Sequence, residues 1–135
     1  MGLLTLDIKD NDRTTHEYMR IDFRKRSVKG KFNLVGFQDK DTLQQVLYIP
    51  SLDISAYGDT QEKTYEMVRN AMDEYFDFLT SLPKIEFYQE LSKCKWKKNT
   101  FASKQFSKVY VDVDGVLQEF NAVDNKVHRL LATTA

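Results

Sequence analysis

The stretch from Asp59 to Leu79 constrains the fold more than any other part of the chain. Tyr65, Val68, Met72, Tyr75, Phe76 and Leu79 recur at intervals of three and four, while Glu66, Arg69, Asp73 and Asp77 fill positions between them. That interval is helical and draws one apolar stripe along the rod. Asp59 can serve as N-cap, and Glu62 can return a hydrogen bond in the manner of a capping box, with Gly58 permitting the turn before it. A stripe of this kind has to be buried, and packing on a sheet is the expectation.

The sheet is to be sought upstream. Aromatic and β-branched residues from Tyr18 to Arg26 favour a strand. From Lys31 to Phe37 the chain alternates, with Phe32, Leu34 and Gly36 on one face against Val35 and Phe37 on the other. Gln38 to Thr42 is short and polar, as a hairpin connection is, and Leu43 to Ile49 forms a further strand that Pro50 stops. Three such strands in succession make an antiparallel meander, and Ile54 to Tyr57 is a short extended lead into the helix.

Downstream, Pro83 suits the first turn of a second helix, Lys84 to about Cys94, with Ile85, Tyr88 and Leu91 at the helical interval. Lys95 to Ser107 has no period and reads as loop. Val109, Val111 and Val113 alternate with Tyr110 and Asp112 before Asp114-Gly115, a favoured hairpin turn, and Lys126 to Leu131 reads as a last strand. The fold class is therefore α+β: a β-meander with a long helix on one face, plus a C-terminal helix and β-hairpin. At 135 residues the expectation is one domain, 1–135, with 80–135 as an extension of the core.

The charges cancel in sum, twenty acidic against twenty basic, but not in place. Arg20, Arg24, Lys25, Arg26, Lys29 and Lys31 crowd one segment that holds Asp22 as its single acid. Between Asp53 and Asp77 the balance reverses, with Glu62, Glu66, Asp73 and Asp77 along the helix. Between Lys84 and Lys108 it turns basic again. Within that last run, Lys95, Trp96, Lys97 and Lys98 interleave an aromatic ring with cations, the ingredients for stacking on bases while neutralising phosphates. A nucleic-acid surface would use these four with Arg24 and Arg26. Its competitor is a solvated lysine loop that Trp96 anchors to the core.

Catalytic patterns are scarce. Val109 to Leu117 looks like the first motif of haloacid dehalogenase-type phosphatases, but the helix and later phosphate-binding residues that the motif requires do not follow, so Asp112 and Asp114 read as hairpin residues. His16 and His128 have no metal-ligand spacing, and no cofactor is expected. A lone cysteine, Cys94, implies a reducing compartment. Met1 to Asp10 lacks the layout of a secretory signal, and no apolar run approaches a membrane span, so a cytoplasmic protein without a membrane partner is expected.

One resemblance emerges from residues 31–79. Tyr48, Pro50-Ser51-Leu52, Gly58-Asp59-Thr60, Glu62, Ala71-Met72 and Tyr75 follow the order of strand, Pro-x-Leu, extended piece, Gly-Asp-Thr, Glu and helix that is similar to the core of HicB-type antitoxins. The chain departs from that family at Asp53-Ile54-Ser55, where a Pro-Gly-Cys-like turn is usual, and at Lys63-Thr64, where Glu-Ala is common. Pro83 to Ala135 also lacks the family's frequent DNA-binding appendage. The resemblance implies a partial ribonuclease H-like fold without catalysis that binds and blocks a small basic, messenger-cleaving toxin of the HicA type. Glu62, Glu66, Asp73 and Asp77 are then the partner-binding residues. A sheet with free edges under one helical layer leads us to expect a homodimer.

Overall fold

A computed structural model describes residues 5–11, 16–94, 96–98, 105–108 and 122–134. The elements run β1 (Leu6–Asp10), β2 (Glu17–Asp22), β3 (Ser27–Asp39), β4 (Gln45–Ile49), β5 (Ile54–Gly58), α1 (Gln61–Ser81), α2 (Lys84–Lys93), β6 (Trp96–Lys98), β7 (Gln105–Lys108) and β8 (Ala122–Thr134). Among the described residues every strand pairing is antiparallel. The fold is α+β, with helices packed on a sheet, as the residue pattern implied.

β3 organises the sheet. It is 13 residues long and pairs with β8 along one edge, from Gly30↔Thr134 to Phe37↔Val127 and, past an irregularity, at Asp39↔Ala122. The other edge takes two strands in tandem: β2 from Asp22↔Ser27 to Tyr18↔Lys31, and β4 from Val35↔Tyr48 to Gln38↔Gln45. The strands β2 to β5 are joined by successive hairpins, as in a meander, but β2 and β4 share one side of β3 because β8 occupies the other. β1 then adds to β8, β7 to β2, and β6 to β7.

Between the two strands in tandem lies a seam, at Asn33, whose N–H points at the edge where β2 has ended and β4 has not begun. The Glu17 carboxylate accepts that N–H at 3.1 Å, inside the protein. A buried backbone donor left over would cost about 1–3 kcal/mol, so a charged side chain in the interior here completes a ladder. The hairpins are closed by aspartates in a similar way. Asp22 Oδ1 accepts from the N–H groups of Arg24 and Lys25, and Asp39 Oδ2 from those of Asp41 and Thr42.

Alternation along β3 divides the layers. Val28, Phe32 and Leu34 face the helices, with Met19 and Ile21 of β2, Leu47 and Ile49 of β4, and Leu130 and Ala132 of β8. Val68, Met72, Phe76 and Leu79 of α1, with Phe87 and Leu91 of α2, close over them. Burying each such side chain is worth about 1.5–3 kcal/mol relative to exposure, so the stripe read from the sequence is what holds α1 down. α1 lies on β5, β4 and β3. Asn33, Val35, Phe37 and Val46 are buried on the opposite face. At Gly36 a Cβ would stand 2.9 Å from Leu47 Cδ2 and 3.2 Å from Leu130 Cδ1, so a larger residue there would push these two leucine side chains aside.

Several local features differ from the expectation. The N-cap of α1 is Thr60, not Asp59: Thr60 is extended, its Oγ1 accepts from Lys63 N at 3.1 Å, and Glu62 stands exposed in the first turn. Gly58 serves by close approach and not by a positive φ, since a Cβ on it would lie 2.8 Å from Thr64 N. The stretch Lys95 to Ser107, expected as loop, contains β6 and β7, which are strands because β2 offers an edge to pair with. β1 is a further strand, and β8 extends past both ends of the strand expected at Lys126 to Leu131. The hairpin expected from Val109 to Phe120, with Asp112 and Asp114, lies outside the described residues.

Candidate functional site

Two surfaces were expected to carry function, one acidic on α1 and one basic on the hairpin and the lysine run, and the structure ties them together. Arg26, at the turn between β2 and β3, donates through one terminal nitrogen to both the backbone carbonyl and the carboxylate of Asp77. One member of each set is therefore engaged with the other. Arg26 has a left-handed backbone, φ 52°, which a non-glycine residue adopts at some cost. Beside it, Phe23 stands edge-on to Phe87 of α2 at 4.8 Å between ring centres, so the hairpin tip is seated on the helical layer.

The remaining acids divide. Glu62 and Glu66 are exposed and border a groove of about 260 Å³ between β1 and α1, together with Leu6, Ile8, Tyr65 and Arg69. Asp73 is half-buried. The outward side of α1 also carries Met67 and Phe78, 51% and 48% exposed, with Glu66 and Glu74 beside them. Apolar side chains of that size in a field of acids are a feature that the sequence reading did not single out. The helical interval from Met67 to Phe78 was the available signal.

The basic set divides too. Arg24 is exposed at the hairpin turn. Trp96 is 4% exposed, stands edge-on to Phe32, and donates its indole N–H to Ser51 O at 3.0 Å, so the ring lies in the core and offers no face to a base. Lys97 and Lys98 lie in β6, and Lys95 falls outside the described residues. A different group of cations comes together. On the face of the hairpin turned away from the helices, Arg20 of β2 stands directly across from Lys29 of β3, and Tyr18 directly across from Lys31. Like charges facing one another across a pair of strands are unfavourable unless an anion lies over them.

A cleft of about 560 Å³ opens between the β4–β5 turn and the two helices, with Tyr48, Asp53, Tyr75, Glu90 and Cys94 in its wall. The Tyr48 hydroxyl donates to Asp53 Oδ1 at 3.1 Å. Burial first, then the neighbouring Cys94 and Glu90, pushes the Tyr75 phenol well above its ordinary range, so it stays protonated and acts as no base near neutral pH. A second cavity, of about 370 Å³, lies under the start of α1, floored by Gly36, Leu47 and Leu130 and bordered by Asp10, Asp59 and His128. Among the described residues no three of His, Cys, Asp and Glu converge as metal ligands. None of the described helices is long and apolar enough to cross a membrane.

Several of the residues that carry the resemblance to HicB-type antitoxins have structural employment. Pro50 to Leu52 form the tight turn from β4 to β5, Gly58 lets α1 approach, Thr60 caps it, and Met72 fills the core. Comparison with family models, with curated proteins and with solved structures finds no match to this chain.

Proposed function

We propose that this chain is a non-catalytic protein-binding module of the antitoxin kind, resembling the HicB type, whose partner is a small basic protein such as a messenger-cleaving HicA-type toxin. The observation that carries the proposal is the outward side of α1, where Met67 and Phe78 stand half exposed with Glu66 and Glu74 beside them. Apolar anchors supply affinity, and the surrounding carboxylates steer a cationic partner and set its register. Asp77 is engaged by Arg26. The test is coexpression with the short basic product of an adjacent reading frame. The two copurify, and Glu74→Lys with Met67→Ala weakens the complex at least tenfold. No complex, or a complex indifferent to charge reversal and to Met67→Ala, overturns the reading.

A second reading, nucleic-acid binding, is favoured by the opposed Arg20 and Lys29 with Tyr18 and Lys31 alongside. It makes a distinct prediction. Binding through this face falls steeply with salt and is lost in Arg20→Ala with Lys29→Ala. The fluorescence of Trp96, the single tryptophan, is unchanged by the oligonucleotide because the indole is in the core. Affinity that is insensitive to salt excludes this reading.

A further inference from the structure

Among the described residues β1 has β8 as its one neighbour and forms an end of the sheet. The register determines which of its backbone groups look outward. Asn11 N–H donates to Arg129 O at 3.0 Å, which continues by one step the pairing that runs from Leu6↔Thr134 to Asp10↔Leu130. Hydrogen-bonded and non-bonded pairs alternate along an antiparallel ladder. Asp7 and Lys9 therefore turn their N–H and C=O groups toward β8, and Leu6, Ile8 and Asp10 turn theirs away from it.

We propose that this edge pairs with the same edge of a second copy of the chain, antiparallel about a two-fold axis at Ile8, so that one sheet runs through two molecules. The sequence of β1 is self-complementary in that register. Ile8 meets Ile8, every outward N–H and C=O of Leu6, Ile8 and Asp10 finds its counterpart, and Asp7 of each copy stands opposite Lys9 of the other. Moving the axis to Asp7 or to Lys9 would set like charges face to face, which disfavours those registers. Asp7 and Lys9 are exposed and already within 3.4 Å of one another in the single chain, so the same charges need only exchange partners.

The groove beside β1 fits the same occupant. Its floor, Leu6 and Ile8, is partly buried against the core, and Arg69 in its wall has a buried Nε with no acceptor. The two-fold axis brings the second copy's groove alongside, with its own Glu62 and Glu66 bordering one shared trough. An isologous contact of this kind closes on itself and stops at two copies. The inference rests on the β1 edge and does not depend on the partner proposed for α1.

Sedimentation velocity of the full chain over a range of concentrations tests it. The wild type is a dimer. Asp7→Lys and Lys9→Asp each weaken the dimer at least tenfold, and the double variant Asp7→Lys/Lys9→Asp restores it, because the opposed charges are exchanged in both copies. Ile8→Pro removes an outward N–H without taking a bond from the β8 ladder and yields a monomer of unchanged circular dichroism. If that variant fails to fold, the exposed charge exchange still decides. A wild type that stays monomeric, a dimer indifferent to the single reversals, or a double variant as weak as the singles overturns the proposal.

Discussion

Glu17 and Asn33 meet where two strands take turns on one edge: the carboxylate of the first accepts the backbone N–H of the second, inside the protein. Removing the acceptor strands a buried donor. Glu17→Ala therefore lowers stability by about 1–3 kcal/mol, and Glu17→Gln, which keeps an acceptor oxygen, by less. Urea denaturation of the two variants measures the difference. Equal losses would mean that the acceptor is not what matters.

Thr60, not Asp59, caps α1, and the two make opposite predictions. Thr60→Ala costs about 1 kcal/mol and Thr60→Ser restores most of it. Asp59→Ala loses only a charge near the helix start, a few tenths of a kcal/mol. Thermal melts of the three variants at low ionic strength rank them.

Arg26 carries two opposed terms, a partly exposed ion pair with Asp77 and a left-handed backbone. Arg26→Ala loses the pair and keeps the strain. Arg26→Gly loses the pair and relieves the strain, so it is the more stable of the two by about 1 kcal/mol. Asp77→Ala costs less than about 1 kcal/mol, since the pair is screened by solvent. Chemical denaturation separates these outcomes.

The phenol of Tyr75 titrates above its ordinary value of 10.0 because it is buried near Cys94 and Glu90. In the unfolded chain it loses its proton near the ordinary value, while the folded protein holds it. Stability from this group is thus complete below that pH and falls as pH rises through the unfolded value toward the folded one. Tyr75→Phe cannot ionise, and its stability profile above pH 10 is the flatter of the two. Parallel slopes for wild type and variant would contradict the assignment.

Much of the architecture was legible because its determinants are local. Phe32, Leu34 and Gly36 alternate with Val35 and Phe37, and the stripe from Val68 to Leu79 repeats at the helical interval. The misplacement of the cap by one residue came from two adjacent residues of equal capping chemistry, Asp59 and Thr60. β6 and β7 were illegible since three or four residues become a strand only through a neighbour's edge. At the candidate sites the charge runs were plain in the sequence. What distance in the chain concealed was that Asp77 would be engaged by Arg26 and that Trp96 would turn inward onto Phe32.

The ladder between β3 and β8 joins Gly30 to Thr134. During synthesis, the middle of the sheet is therefore made early and completed late: β3 leaves the ribosome with β2, β4 and β5 at hand but with one whole flank bare until β8 follows. For that interval a long apolar strand is open to any passing chain. A late annealing step of this kind makes refolding slow relative to helix formation and makes the yield of native protein fall as concentration rises.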